Sequence, residues 1–302
     1  MDLRGASVAV TGATGFLGRY IVDALLARGA HVIGVVRNPD RVPELAARDV
    51  ELRRADLAER DRLAQGFAGA RAVVSNAALF SLGNRSWEDH RRANIQGTEN
   101  VFGALADAGV KRVVHVSSVA VYRAHRPRIG EDSPQLSAGA RFASAYSISK
   151  ALSEQLAWKL AGAYGLELTT VRPCAIYGAF DANFTAVFRR LAGFPVTLMP
   201  ALMYLPLVYA GDVADAIARA LERPASIGRA YNVTGDDATV WEFARAWREA
   251  GGPGAFLQLP LVLPWTRAYD NSRAREDLGW GNRPFVEALR ETLARERGAA
   301  SA

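Results

Sequence analysis

The chain has 302 residues, half of them hydrophobic, with 37 cationic and 31 acidic side chains and a formal charge of +6; that is enough apolar material for one large domain, or for a main domain with a smaller one attached. The cations are interleaved with acids, which excludes the basic runs of a nucleic-acid binder, and only Lys111, Lys150 and Lys159 are lysines, a preference for arginine that fits a GC-rich, bacterial genome. Cys174 alone excludes an internal disulfide, the want of about eighteen consecutive apolar residues excludes a membrane-spanning helix, and His31, His90, His115 and His125 lack metal-ligand spacing.

Short β-branched runs alternate with longer amphipathic stretches through the first 175 residues, the mark of a parallel sheet with helices on both faces. Strands are expected at Ser7 to Val10, His31 to Val36, Val50 to Arg53, Ala72 to Ser75, Arg112 to Ser117 and Leu168 to Arg172. Helical patterns lie between them near Phe16 to Ala27, Arg60 to Phe67, Trp87 to Ala108 and Ala143 to Ala163. That order predicts an α/β fold with a Rossmann-type doubly wound parallel sheet. After Pro173 the rhythm breaks, and Tyr177 to Leu207, rich in Pro, Gly and aromatics, shows no further strand-helix alternation. Val208 to Leu221 reads as strand end and helix, Tyr231 to Val233 as a short strand, and Thr239 to Ala250 and Pro284 to Arg295 as helices. Residues 1–176 and 208–234 are assigned to a dinucleotide-binding domain. Residues 177–207 and 235–302 are assigned to a smaller, mostly helical substrate domain whose last residues, RGAASA, are expected to be disordered. The first strand starts by Ser7, leaving no room for a signal peptide, so a soluble cytoplasmic protein is expected, with a small-molecule partner and no nucleic acid, membrane or metal.

The first strand runs into TGATGFLG, Thr11 to Gly18. Without Cβ atoms at Gly12, Gly15 and Gly18 the backbone can turn sharply and approach a pyrophosphate, whose charge then lies on the N-terminus of the next helix. A glycine turn can also serve packing alone. Thr11, Gly12, Thr14, Gly15, Phe16, Leu17 and Gly18 are the candidate residues of this turn. The residue ending the second strand of such a fold faces the adenosine ribose, where an acid would accept hydrogen bonds from the 2′-hydroxyl. Here it is Arg37, which cannot accept them but can pair with a 2′-phosphate. NADP(H) is therefore favoured and NAD(H) is the alternative, with Arg19 or Arg41 as helpers; otherwise Arg37 is a solvated residue opening a loop. Asp56 and Leu57, past the third strand, are placed to meet the adenine, though Asp56 could equally cap the next helix.

Tyr146 and Lys150, four residues apart in FASAYSISKALSEQLAWKLA, emerge on one helix face. A phenol of ordinary pKa about 10 must exchange a proton near neutrality, and an adjacent ammonium favours its phenolate. Lys150 would do this and also hydrogen-bond the nicotinamide ribose. Ser118, closing VVHVSS, would donate to the substrate oxygen as its charge develops, unless it is an ordinary strand-end hydroxyl.

Seven motifs together resemble the extended short-chain dehydrogenase/reductase family, of the NAD-dependent epimerase/dehydratase type, over nearly the whole chain. They are TGATGFLG, NIQGTEN (Asn94 to Asn100), VHVSSVAVY (Val114 to Tyr122), YSISK (Tyr146 to Lys150), VRPCAIYG (Val171 to Gly178), VYAGDVA (Val208 to Ala214) and NSRAREDLGW (Asn271 to Trp280). The resemblance implies that Tyr146 is the acid/base, Lys150 its modulator and Ser118 the carbonyl-orienting group. It also implies that Ser117, Pro173 and the loop residues Asn76, Ala77 and Ala78 lie along the cofactor, and that the protein is a helix-bundle homodimer. Asn94 matches a family position that is more often architectural than catalytic. Two departures matter: Ser75-Asn76-Ala77-Ala78 stands where many relatives have a His before a variable residue and Ala-Ala, and apolar LMPALMYLPLVYAGDVA stands where nucleotide-sugar members usually place an arginine.

The second departure favours an apolar substrate. Leu198, Met199, Leu202, Met203, Tyr204 and Leu205 offer an adaptable wall, unless they are simply core; Phe80, Ser118, Tyr177, Met203 and Tyr204 are taken as substrate contacts, while Arg189, Arg190 and Arg267 could still serve a diphosphate. The favoured reading is an NADP(H)-dependent oxidoreductase that interconverts a carbonyl and a secondary alcohol on a small, largely apolar molecule, similar to the dihydroflavonol-reductase and 3β-hydroxysteroid-dehydrogenase branches. A nucleotide-sugar epimerase or dehydratase with tightly bound NAD is the second reading, and a non-catalytic NADP(H)-binding redox sensor the third. Cys174 is expected to pack rather than react, and Asp212 could cap the helix that follows it.

Overall fold

Short, nearly continuous runs of valine, isoleucine and alanine, buried on both faces, build the central sheet. The computed structural model of the chain describes residues 1–80, 85–123, 128–192, 196–200, 203–235, 237–254, 257–261 and 268–300. Its main elements in chain order are β1 (Ser7–Thr11), α1 (Phe16–Leu26), β2 (His31–Val36), β3 (Glu51–Arg54), α2 (Arg60–Phe67), β4 (Ala72–Ser75), α3 (Gly97–Asp107), β5 (Arg112–Val116), α4 (Ala145–Tyr164), β6 (Glu167–Pro173), α5 (Phe184–Ala192), α6 (Ala210–Glu222), β7 (Arg229–Val233), α7 (Val240–Glu249), α8 (Ser272–Leu278) and α9 (Phe285–Ala300). Successive side chains of a strand point to opposite faces. Val8, Val10, Val32, Val114 and Val116 accordingly share one core with Ile21 of α1 and Ile217 of α6. Ala9, Ile33, Val35, Val73 and Val113 share the other with Phe67 of α2, Phe102 of α3 and Ala157 of α4.

All seven strands are parallel, in the order β3-β2-β1-β4-β5-β6-β7. The order reverses at β1, which pairs with β2 on one side and β4 on the other, and ligands of such sheets bind in the crevice at the carboxyl ends there. The Rossmann-type doubly wound sheet expected from the sequence is the observed one.

Local differences have identifiable causes. The single helix expected from Trp87 to Ala108 is instead a short turn at Trp87–His90, a π-turn at Arg91–Gln96 and then α3. The Thr98 hydroxyl donates to the Asn94 carbonyl at 2.7 Å, adding an acceptor contact where the backbone ladder changes register. Between Tyr177 and Leu207, where no alternation is legible, the chain forms α5 and short strands: Ala175–Tyr177 runs parallel to Tyr204–Tyr209, which pairs antiparallel with Asp237–Thr239, and Val196–Pro200 pairs with Leu257–Leu261. Strands this short whose partners lie far away in sequence leave no periodic trace. Helix α9 extends through Ala300, so the disorder expected from Arg297 does not hold for residues 297–300; alanine continues a helix at little cost.

An aromatic cluster joins the small three-stranded sheet to the C-terminal helices. Phe243 of α7 sits at its centre, with ring centroids 5.2 Å from Tyr177, 5.5 Å from Phe184, 4.8 Å from Phe188 and 5.4 Å from Phe285. Helix α7 is started by a reciprocal cap in which Thr239 and Glu242 exchange side-chain to backbone hydrogen bonds of 3.1 and 2.7 Å. Phe243→Ala should lower the unfolding free energy by about 3–5 kcal/mol, the range for removing a fully buried phenylalanine. Denaturant unfolding followed by tryptophan fluorescence measures it, and a change below about 1 kcal/mol would show that the cluster does not hold these elements together.

Candidate active site

The glycine turn and the loop after β4 are tied together at the switch point. Thr11 Oγ1 accepts the backbone N–H groups of Asn76 and Ala77, both at 3.1 Å, and Asn76 Nδ2 donates to the Gly12 carbonyl at 3.3 Å. Gly12 has φ +68°, and a Cβ there would lie 2.9 Å from Ala77 Cα. At Gly18 a Cβ would meet the Gly12 carbonyl oxygen at 2.0 Å, so α1 can approach the turn only with glycine at that place. Thr14 and Phe16 are half-buried beside the turn, while Leu17 belongs to the core beneath it. Helix α1 starts after Gly15 with no side-chain cap and no carboxylate in its first turn. Its free N–H groups and the positive end of its dipole suit an anion, so these residues fit the pyrophosphate of a dinucleotide.

Arg37 directly follows β2 and is exposed, and among the described residues no carboxylate pairs with it. Arg19 is paired with Glu44 at 3.2 Å and lies over the Phe180 ring; Arg41 is exposed. Asp56 does not cap α2: its Oδ1 accepts Ala58 N–H at 2.9 Å in a turn, and Glu59 holds the cap position. The Leu57 carbonyl accepts Asn100 Nδ2 at 2.7 Å.

Ser118, Tyr146 and Lys150 converge where β5 ends. Ser144 caps α4 by accepting Ser147 N–H at 3.1 Å, which places Tyr146 in the first turn and Lys150 one turn further on. The half-buried Tyr146 ring lies edge-on to Phe80, centroids 4.9 Å apart at 89°, with His90 at 6.2 Å. Burial pushes the phenol pKa up, and a hydrogen bond with the Ser118 hydroxyl offsets part of that rise. Ser118 Oγ also accepts Ala120 N–H at 3.1 Å and lies 3.5 Å from the buried Pro173 carbonyl. Lys150 is buried and donates to the Val116 carbonyl at 2.8 Å. Burial pulls its ammonium down to about 8, against the opposing pull of Glu154. The sequence suggests an ammonium directed at the phenol; in the structure it is satisfied by the backbone, because a buried ammonium needs an acceptor and the β5 carbonyl supplies one.

Helix α4 contributes more than its spacing reveals. Asn94 Oδ1 accepts Leu79 N–H at 2.7 Å, and its Nδ2 donates to the Leu79 carbonyl at 3.1 Å and to Ser149 Oγ at 2.9 Å, so the carboxamide fastens the segment bearing Phe80 to α4. Glu154, one turn beyond Lys150, is fully buried and accepts from Arg172 Nε of β6 at 3.0 and 3.1 Å. Arg172 Nη1 donates to Tyr122 Oη at 2.6 Å, which donates to Asn232 Oδ1 at 2.6 Å. Sequence reasoning missed this chain; the signal was a carboxylate four residues after Lys150 on the inward face of a helix and an arginine in a buried strand.

Of the expected substrate contacts, Phe80 and Tyr204 are exposed and Met203 is half-buried. Tyr177 is only 1% exposed, enclosed by Tyr209, Phe243 and Phe285; it is a core residue and is corrected as such, because its ring joins the small three-stranded sheet to α7 and α9. Leu198, Met199 and Leu205 are described only in their strand backbone, and Leu202, Arg267 and His125 lie outside the described residues. Arg189 is paired with Glu296, and Arg190 is exposed on α5. Cys174 is buried. Asp212 makes no cap on α6; it pairs with Arg283 Nε at 2.9 Å and accepts Arg283 N–H at 2.9 Å, and burial still pushes its carboxyl up to about 6. Among the described residues no cluster of three or more His, Cys, Asp or Glu is arranged for a metal ion, and no helix is long and apolar enough to cross a membrane.

A glycine cradle at the switch point, with a tyrosine, lysine and serine at the end of β5, agrees with the match of residues 8–234 to the model of the NAD dependent epimerase/dehydratase family. The chain belongs to that family. Within the NAD dependent epimerase/dehydratase family it is an extended short-chain dehydrogenase/reductase, and such proteins bind nicotinamide cofactors. It is 38% identical to a 4-hydroxy-2-methyl-3-oxo-4-farnesyl-3,4-dihydroquinoline-1-oxide ketoreductase of Stigmatella aurantiaca over 58% of this chain and 52% of that one, so it spans about half the length of that relative. It is 29% identical to a dihydroflavonol 4-reductase of Hordeum vulgare over 81% of this chain and 75% of that one. The solved UDP-glucose-4-epimerase of Stenotrophomonas maltophila, with bound NAD and formylated UDP-arabinopyranose, superposes with a TM-score of 0.82 at 23% identity, covering 98% of this chain and 99% of that one; this likeness is one of fold.

Burial of Lys150 has a measurable consequence for stability. Unfolded, the side chain keeps its proton up to about pH 10.5, whereas folded it releases it near 8. The folded state binds fewer protons in that window, so raising the pH through it stabilises the fold. Between pH 7 and 10.5 the wild type should gain about 3 kcal/mol more unfolding free energy than Lys150→Met, at 1.36 kcal/mol per unit. Parallel curves in denaturant titrations across that range would contradict the burial of the ammonium.

Proposed function

We propose that the protein is an NADP(H)-dependent carbonyl reductase for small, largely apolar molecules, working reversibly as a secondary-alcohol dehydrogenase. The observation that carries this reading is the edge of the exposed Phe80 ring against Tyr146: the wall nearest the phenol is aromatic, and an apolar group beside a carbonyl would pack there. The glycine turn would hold a nicotinamide dinucleotide, which when bound would supply the hydride. Tyr146, kept protonated by its burial, then gives its proton to the carbonyl oxygen. The Ser118 hydroxyl donates a hydrogen bond to that same oxygen as negative charge gathers on it. Lys150 lies one helical turn behind the phenol and favours its anionic form after the proton has left.

Two features support the choice of cofactor and substrate. Arg37 at the end of β2 is a cation where NAD-specific folds place an acid, and it is free to pair with a 2′-phosphate. On the substrate side, Met203 and Tyr204 present apolar surface, while Arg189 is taken by Glu296 rather than left for a diphosphate. Residues 177–207 and 235–302 would then cover the substrate.

Tyr146→Phe should lower NADPH-dependent reduction of aryl ketones by a hundredfold or more, roughly the contribution of a general acid. NADPH should still raise the melting temperature of that variant. Turnover that survives the substitution would exclude the phenol as proton donor. Arg37→Ala should weaken NADPH binding by about tenfold to a hundredfold, one charge-assisted contact to phosphate, and leave NADH unchanged. Equal affinities for the two nucleotides in wild type and variant would remove the NADP(H) assignment. Release of tightly held NAD on denaturation would favour the epimerase reading.

A further inference from the structure

Three polar atoms below α4 find no partner among the described residues: His115 Nε2, Ser117 Oγ and Thr170 Oγ1, each in a residue no more than 4% exposed. They are not scattered. His115 of β5 and Thr170 of β6 are register partners, and neighbouring strands lie about 4.8 Å apart, a span that a single water can bridge. Ser117 is two residues beyond His115 and stays in the ladder, its N–H donating to the Val171 carbonyl at 2.8 Å, so its side chain projects from the same face. That face carries Leu168 and Val113 into the core shared with α4.

Lys150 reaches the same region. An ammonium has three donors, and the Val116 carbonyl takes one. The charge lies close enough to His115 to push the imidazole pKa down, adding to the larger effect of burial. His115 is thereby held neutral, with Nδ1 hydrogen-bonded to Ser75 Oγ at 3.2 Å and Nε2 free. A neutral imidazole offers a polar atom without repelling the ammonium.

We propose that this seam is a buried hydration site, in which His115 Nε2, Thr170 Oγ1 and Ser117 Oγ hold ordered water that solvates the Lys150 ammonium from within the core. The site is polar and supplies the two to four partners that an internal water requires. His115 and Thr170 are then positioning residues: they act on the reacting centre through water and Lys150. The other ionisable groups around Lys150 are Tyr146 and Glu154 on its own helix, Arg172 of β6 through its pair with Glu154, and His90 of the short helical turn packed against α4.

The inference rests on the proposed role of Lys150, and its test uses neither substrate nor cofactor, so the two can fail separately. With three lysines in the chain, 15N-lysine NMR of the full-length protein gives a few side-chain signals, and Lys150→Met identifies the one that matters. Removing the water makes the ammonium harder to sustain. Thr170→Val should therefore move the Lys150 pKa about one unit further down, whereas Thr170→Ser, which keeps the hydroxyl, should leave it at the wild-type value. A Lys150 titration that is identical in wild type, Thr170→Val and Thr170→Ser would overturn the proposal. Should Thr170→Val fail to fold, a crystal structure of the wild type decides: ordered water within hydrogen-bond reach of His115 Nε2 and Thr170 Oγ1 supports the site, and a dry seam overturns it.

Discussion

Helix α4 buries an ammonium, a carboxylate and two serines against a sheet face that carries His115, Ser117, Thr170 and Arg172 among its apolar residues, and much of the molecule is arranged to make that tolerable. Buried charges demand partners. Lys150 takes the carbonyl at the end of β5, and Glu154 takes the guanidinium of Arg172 from β6. Arg172 in turn engages Tyr122 and the Glu131 carbonyl, and Asn232 of β7 receives the Tyr122 hydroxyl while its own N–H donates to Glu131. Satisfying these two buried charges thus ties helix α4 to the carboxyl ends of β5 and β6 and, through Tyr122, to the edge strand.

The same requirement explains why the site is precise. A side chain on a flexible loop could be solvated and would wander. Lys150 and Ser149 instead lie on the inward face of a twenty-residue helix, and Asn94 clamps the segment carrying Phe80 to Ser149 from the opposite side. Phenol, serine hydroxyl and aromatic wall are therefore fixed by groups that do not themselves react, as pre-organised sites require. The π-turn that contains Asn94 is part of this arrangement, since it carries the buried carboxamide into the gap between α3 and α4.

The two ends of the crevice are built by opposite physics. At β1 the determinants are steric and dipolar: glycines bring backbone close to backbone, and an uncapped helix start is left where an anion would be held. At β5 they are electrostatic and desolvated, with burial raising the pKa of Tyr146 and lowering that of Lys150. In the proposed reaction the first end fixes the dinucleotide and the second moves the proton.

Much of the fold was legible in the amino-acid sequence, because the β-branched runs of β1, β2, β4 and β5 and the amphipathic stretches between them are local signals. The glycine turn and the placing of Tyr146 and Lys150 one turn apart on a single helix were legible for the same reason: a strand end and a helix face are set by neighbours a few residues apart. The strands at Ala175–Tyr177 and Asp237–Thr239 were not, since they are only three residues long and pair across the chain, and of Tyr204–Tyr209 only the end at Val208 was read. Tyr177 looked like a site residue from its motif, and three-dimensional packing made it core. The ion pair of Glu154 with Arg172 and the facing of His115 with Thr170 depend on strand register and on which side of the sheet α4 covers. By itself the sequence determined the elements and their chemistry-bearing residues; tertiary structure alone decided which buried polar groups meet, because burial and register are properties of packed neighbours and not of chain order.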